Sequence, residues 1–447
     1  MPVSITGVLV GLAISIILII KKLNPVTSMF LGTIIGALTG GASLYEKLTI
    51  IIIPGWHSVI GIIVRIIAGG VLAGVLIESG AAESIARGIV EKLGEKRALS
   101  ALALSSMILL AAGIFLPVSV VILAPIALSV AHRAGVSKFA AILALSGGAK
   151  AGNMISPNPN TIAAAEAFGL PLGEVMIGGF IPGAFALITT IILANLLKHR
   201  GFMVKNRDLE RAGGLGRLPP LIKAKINGVG PVPTLPPFYK AMVAPLTAVL
   251  LLMLRPIGSL FNIEFLMALG LDALIVLPIG AVIGALAMGK GKYILDYVNK
   301  GITRMAPVVL MLLGAGALTG LITNSVLPDL IPVTMERLRI PAMFLAPISG
   351  FIMGAATGSV ATGVIIAGPS FAGTLLAQGV PALSAAVMIH AGAALFDVVP
   401  HGNYFLAGKD SMKVGFRERM KVIPYEAIIG MVMTIAATVF YWLSGIS

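Results

Sequence analysis

The side chains able to do chemistry fall in two short polar stretches, each set in apolar sequence. The first holds Lys150, Asn153, Ser156, Asn158, Asn160 and Thr161, with Pro157 and Pro159 among them. The second holds Asp397, His401 and Asn403, and Asp397 is the only formal charge between Pro341 and Gly408. An ionised carboxylate at the middle of a bilayer costs about 2.5–3.5 kcal/mol or more, so it is paired, solvated or protonated there. Asp397 is therefore the candidate carrier of a coupled proton. Its structural alternatives are capping a half-helix or pairing with Lys150. Lys150 suits the carboxylate of a small solute, and equally suits Asp397 or a snorkelling position at the inner interface. His401 could donate to a bound solute or titrate with Asp397, although a lone His often only satisfies nearby carbonyls. The uncharged side chains offer donors and acceptors to hydroxyl groups. Ser119, Ser359 and Thr362 stand near two further helix breaks and extend this set; Ser and Thr also serve as interhelical glue. His390 reads as packing, and Gly314, Gly316 and Gly320 read as a close helix contact rather than a nucleotide loop.

These residues must be positioned by membrane-crossing helices. The chain has 447 residues, 57% hydrophobic and 11% charged, with a mean hydropathy of +1.02. A soluble domain averages about 25% charged residues. The formal charge of +14 lies in short basic clusters between apolar runs, the positive-inside pattern of a polytopic membrane protein. No basic helix with interleaved aromatics is present, which argues against a nucleic-acid partner. Cysteine is absent, excluding disulfides, thiol catalysis and Cys-ligated metal. No HExxH or GxSxG motif and no paired carboxylates on a helix favour an intramembrane enzyme. Neither a cofactor nor a metal is expected.

At roughly 20 apolar residues per span, segments are expected at about 3–20, 25–42 and 65–79. Leu48–Val64 reads as an outer-interface stretch, and Glu83–Arg97 as an interfacial helix. Ala98–Val130, broken at Phe115-Leu116-Pro117 and flanked by basic residues at both ends, reads as a re-entrant hairpin. Gly147, Gly148, Gly152 and the two prolines predict open chain in the middle of the next segment, followed by a span from Glu174 to Leu197. At membrane depth such chain is tolerated only when buried in protein or lining a polar cavity. Later spans are expected at about 241–257, 264–288, 305–325 and 424–443, with 326–340 a polar connection. Lys21 and Lys22 follow the first apolar run, so it reads as a retained span and not a signal peptide.

Three motifs recur at nearly one offset: Gly74 with Gly320, Pro125 with Pro369, and Asn160 with Asn403. This colinearity indicates an internal duplication. Charge-based topology gives the first half an odd number of crossings, so the copies are inverted. The fold expected is an all-α polytopic membrane protein with two inverted repeats. Each has five crossings, one re-entrant hairpin and a helix broken at the midplane. The first repeat covers 1–197 (hairpin 98–134, broken helix 138–168), a cytoplasmic linker 198–240, and the second repeat 241–447 (hairpin 341–378, broken helix 380–408). Both termini are expected outside the inner membrane.

Phe115-x-x-Val118 leading to Leu123-Ala-Pro125, Leu145-Ser146 leading to Pro157-Asn-Pro-Asn160-Thr161, and Asp397-Val-Val-Pro400-His401-Gly402 resemble the gluconate permease family. That family sits within a larger ion transporter superfamily of inverted-repeat carriers. The resemblance implies uptake of a small hydroxylated carboxylate with a proton. It also implies a homodimer whose transport and scaffold domains move as an elevator. Sodium coupling through the Asn/Ser/Thr-rich breaks is the alternative within the same class, and a channel is a further one.

Overall fold

Several helices in this chain stop at glycines of positive φ, and internal proline does not always end one. The computed structural model describes residues 2–43, 46–206, 208–209, 235–269 and 271–444, and among these the chain is helical with no named strand. Gly113 (φ +92°) and Gly358 (φ +63°) mark the tips of two hairpins. These are Ala98–Ala111 with Leu116–Arg133, and Leu345–Thr357 with Val360–Ala377. The first hairpin therefore breaks at residues 112–115 and not at Pro117, which lies in the opening turn of Leu116–Arg133, where a missing N–H is not needed. Pro54, Pro125, Pro307 and Pro369 all lie inside helices. Neighbouring helices satisfy the carbonyls such prolines release in a membrane span.

Two expected boundaries are corrected by this. The stretches 48–64 and 65–79 are one helix, Glu46–Glu78, and the segment expected at 305–325 is the helix Ile294–Thr323. The polar connection 326–340 contains the helix Leu327–Arg337. The expected interfacial helix is Ala81–Leu93 followed by a short 3-10 turn, Glu95–Arg97. The span expected from Glu174 to Leu197 is two helices, Leu172–Gly178 and Phe180–Leu196. Among the described residues, six helices are long and apolar enough to cross a membrane, or seven if Lys138–Ala167 and Leu172–Gly178, bent by 105°, count as one span. Of the expected linker, residues 207 and 210–234 lie outside the described residues. Its ends are held: Lys138 Nζ pairs with Asp208 at 2.9 Å, and Ser84 Oγ donates to the Pro236 carbonyl at 2.6 Å.

Glu46–Glu78 and Ile294–Thr323 form the central contact. Gly55 meets Gly316 and Gly320, while Gly301 meets Gly70 and Gly74. Contacts that climb one helix as they descend the other mean that the two run antiparallel. Gly55, Gly70 and Gly74 each stand 246 residues before Gly301, Gly316 and Gly320, so the two sets of contacts exchange when the halves are exchanged. A Cβ on Gly55 would lie 2.0 Å from the Gly316 carbonyl oxygen. Gly55→Ala is thus expected to force the spans apart and to destabilise by about 1–3 kcal/mol, read as a lowered unfolding midpoint in detergent.

Around this pair, Pro25–Thr39 packs on Ile294–Thr323, and Ala273–Ala287 packs on Glu46–Glu78. The hairpin arm Leu116–Arg133 packs on Asn403–Ser411, and Val360–Ala377 on Pro159–Ala167, so each half's hairpin holds the other half's broken helix.

Candidate functional site

The first broken helix remains helical through Met154, opens at residues 155–158 and resumes as Pro159–Ala167. Gly147, Gly148 and Gly152 are therefore helical and not open chain as expected. A Cβ on Gly148 or Gly152 would meet the Ala103 or Met107 carbonyl at 2.1 or 2.3 Å, and one on Gly147 would strike Thr190. Their role is close approach. The second broken helix runs Ala382–Ala393, opens over residues 394–402 and resumes as Asn403–Ser411. The resumed helices begin 244 residues apart, at Pro159 and Asn403. The expected match of Asn160 with Asn403 is one residue out of register. The N-cap Asn158 corresponds to Gly402, which has no side chain to cap with.

Lys150, just over one turn before the first opening, ties its helix to the second break. Its ammonium donates to the Asp397 carboxylate and to the Ala394 carbonyl, and both side chains are buried. Of the alternatives open for Lys150, snorkelling is excluded by this burial. An ion pair so enclosed is kept only if both partners are satisfied.

At the first break the polar residues largely satisfy one another. Asn158 Oδ1 accepts from the N–H groups of Asn160 (2.8 Å) and Thr161 (3.2 Å). Its amide donates to Asn153, Thr161 Oγ1 donates to the Asn153 carbonyl at 3.2 Å, and Ser156 Oγ donates to the Leu110 carbonyl. Asn153 Nδ2 and Asn160 Oδ1, a donor and an acceptor, are buried without a partner in the protein. Ser119 turns back to the Leu116 carbonyl of its own helix at 2.8 Å. His390 is wholly buried with neither ring nitrogen hydrogen-bonded.

At the second break a cavity of about 280 Å³ lies between the hairpin tip and the turn joining the first two helices. Lys22, Asn24, Met311, Ser359, His401 and Asn403 are in its lining, and Lys22 carries the only formal charge there. Ser359 Oγ accepts from Thr362 N at 3.3 Å, which leaves its hydroxyl proton to donate. Asn24 accepts from Val26 N at 2.9 Å through its oxygen, leaving the amide nitrogen as a donor. His401 Nε2 lies 3.3 Å from the Ala356 carbonyl. A carbonyl only accepts, so that nitrogen is the donor, and in the neutral ring Nδ1 is an acceptor. Thr362 stands behind the wall, donating to Met311 Sδ at 2.7 Å.

The structure thus brings Ser359, His401 and Asn403 into one cavity and joins Lys150 to Asp397. The lining of that cavity includes none of Lys150, Asn153, Ser156, Asn158, Asn160, Thr161 or Ser119. Lys22 was missed because a lysine following an apolar run reads as an interfacial charge. Arg419 stands among the basic residues between Lys409 and Lys421, where the charge pattern alone would place it at the membrane surface, yet it is fully buried, with bonds of 2.7 and 2.9 Å to a fully buried Glu426. Its guanidinium also lies over the Phe405 ring, 5.0 Å from the centroid, so it fastens the resumed helix to the last span. Glu426→Gln would leave that cation uncompensated, at an expected cost of about 3–5 kcal/mol. Unfolding of the purified protein measures it, and the double change to Arg419→Met with Glu426→Leu should cost less.

A family model for GntP family permeases matches residues 3–445. An uncharacterized transporter of Haemophilus influenzae is 46% identical over 439 residues, 98% of each chain. A high-affinity gluconate transporter of Escherichia coli is 22% identical over 370 residues, 79% of this chain and 78% of its own. Among solved structures, the Alcanivorax borkumensis YdaH transporter aligns with a TM-score of 0.58 over 90% of this chain and 88% of that one, at 16% identity, a likeness of fold. The family match runs nearly from end to end, over a chain whose helices are long and apolar enough to cross a bilayer: the protein belongs to the GntP permease family and is an integral-membrane transporter.

Proposed function

We propose that the protein is a proton-coupled carrier of a small hydroxylated carboxylate, gluconate or a short hydroxy acid, and that the cavity at the second break is its binding site in this state. The observation that carries the reading is the lining of that cavity. One cation, Lys22, stands among the amide and hydroxyl groups of Asn24, Ser359 and Asn403. The N–H groups opening the helix Asn403–Ser411 have no side-chain cap and favour an anion at the same place. A six-carbon sugar acid presents one carboxylate and several hydroxyls, which matches one cation and several neutral donors.

The coupled proton belongs at Asp397 in this reading. Neutralising Asp397 releases Lys150 from its counter-ion at the head of the same loop that ends in Pro400, His401 and Asn403. A proton there and a solute in the cavity therefore influence each other through one short segment. The antiparallel crossing of equivalent spans supports a duplication whose copies are inverted, the architecture of alternating access. The two sides also differ in packing. Pro159–Ala167 lies against Glu46–Glu78. Between Asn403–Ser411 and Ile294–Thr323, residues of both helices instead line the cavity. One break is closed and the other open, which supports an elevator movement between two such states. By the same reading the carrier is a homodimer of the inner membrane, with both termini outside.

A thermal-shift panel on the detergent-solubilised protein tests the solute. A ligand at one hundred times its Kd stabilises by about 2.7 kcal/mol. Gluconate or 3-hydroxybutyrate should raise the midpoint and glucose should not. A response to glucose equal to that of gluconate would remove the carboxylate from the reading.

A further inference from the structure

The closed side is held by an ion triad that has no equivalent on the open side. Arg65, midway along Glu46–Glu78, reaches Glu166 Oε2 at 2.8 Å and Asp272 Oδ2 at 3.0 Å. Its Nε also lies 3.2 and 3.0 Å from the two Asp272 oxygens, so the Asp272 contact is two-pronged. Glu166 ends the helix Pro159–Ala167, which resumes after the first break, while Asp272 caps Ala273–Ala287 through Leu274 N at 2.8 Å. The glutamate rests on bare backbone: a Cβ on Gly61 would lie 2.0 Å from Glu166 Oε1. One turn-pair further along, Gly69 faces the Pro157 carbonyl and Ile162. Gly61, Arg65 and Gly69 thus form one face on which the resumed helix lies from the break to its end. Asn153 and Asn160, on either side of this break, each have a buried polar atom lacking a partner in the protein.

The corresponding positions in the other half are Met311 for Arg65, 246 residues on, Asp410 for Glu166, 244 on, and Asn24 for Asp272, 248 before. Met311 cannot bind a carboxylate, and Met311 and Asn24 line the open cavity. We propose that Arg65, Glu166 and Asp272 form a latch that fastens the resumed helix of the first half to Glu46–Glu78 and Ala273–Ala287 and shuts the first break. The latch rests on the two-state carrier described above. Its strength suits a contact that must open in every cycle. The side chains of Arg65, Glu166 and Asp272 are 28%, 31% and 39% exposed, so the triad is not enclosed by the protein, and a triad that solvent reaches is weakened by water and salt. The enclosed Arg419–Glu426 pair has no such access. Arg65 and Asp272 stay paired when Glu166 is changed, so Glu166→Gln unfastens one helix while leaving the other junction whole.

The absence of cysteine provides the assay. Ile162→Cys, one turn before Glu166 and 1% exposed, becomes the only thiol in the chain. Its modification by a membrane-impermeant maleimide, applied to each face of reconstituted vesicles in turn, reports opening of the first break. Adding Glu166→Gln should speed labelling from one face about fivefold, the ratio to which an exposed pair of ~1 kcal/mol converts. High salt should speed labelling of the parent and leave the Glu166→Gln protein unchanged, and Glu166→Asp should restore part of the protection. Equal rates with Glu and Gln at position 166, in vesicles that still show saturable counterflow, overturn the latch and leave the carrier standing. Absence of counterflow in the cysteine-free parent overturns the carrier and the latch with it.

Discussion

Asp397→Asn is expected to abolish proton-driven accumulation while leaving solute exchange in place. The substitution keeps the size and one acceptor oxygen of the side chain that Lys150 contacts, but removes the group proposed to take the proton. An isosteric neutral residue mimics the protonated state at every pH, so the carrier can load and return with solute while a proton gradient no longer drives it. Measured in proteoliposomes, counterflow of labelled gluconate should persist, and uphill uptake under an imposed pH gradient should fall to the level of leak. Lys150 loses its counter-ion at a buried position, so a lowered unfolding midpoint should accompany the functional loss. Uphill uptake undiminished in Asp397→Asn would assign the proton elsewhere.

Lys22→Met carries the second large effect. The lysine is the sole formal charge lining the cavity and stands on a turn in the left-handed region, φ +66°, at the mouth rather than within a span. Removing a charge-assisted bond worth about 1.5–3 kcal/mol should raise the apparent KM for a carboxylate by about tenfold to one hundredfold. Lys22→Arg keeps the charge and should recover most of the affinity. Because Lys22 stands on the turn after the helix Ile5–Ile20 and not within a span, the folded protein should keep its unfolding midpoint in the absence of ligand. A KM that does not change on Lys22→Met would move the carboxylate to another cation.

Much of the fold was legible because polar residues and charges are so sparse that each one signals its position. The first hairpin showed through the sharing of basic residues at both ends, and the second break through its isolated aspartate. The pairing of Lys150 with Asp397 was among the alternatives open from the sequence, but nothing in one dimension chooses between a counter-ion and a solute ligand. Glycine and proline misled in a consistent direction. In water Gly147, Gly148 and Gly152 would argue for loop, whereas here they allow helix backbones to touch. Pro54 lies within a continuous helix, since membrane spans tolerate internal proline. Basic residues misled most. Sorting them to the membrane surface hid Lys22 in a cavity and Arg419 in the interior, and left Arg65 unread. Their partners Glu166, Asp272 and Glu426 lie 101, 207 and 7 residues from their arginines, and the two long separations carry no sequence signal. The short one did, since an acid opening an apolar span soon after a basic cluster is a candidate counter-ion.

The central claim is that a proton and a hydroxylated carboxylate cross together. The direct measurement is uptake of labelled gluconate, and separately of 3-hydroxybutyrate, into proteoliposomes in sodium-free buffer, with a pH gradient imposed and then collapsed by a protonophore. The account predicts that one of these solutes accumulates above equilibrium while the gradient stands and leaks back once it is collapsed. Saturable uptake that needs added sodium and ignores the protonophore would contradict it.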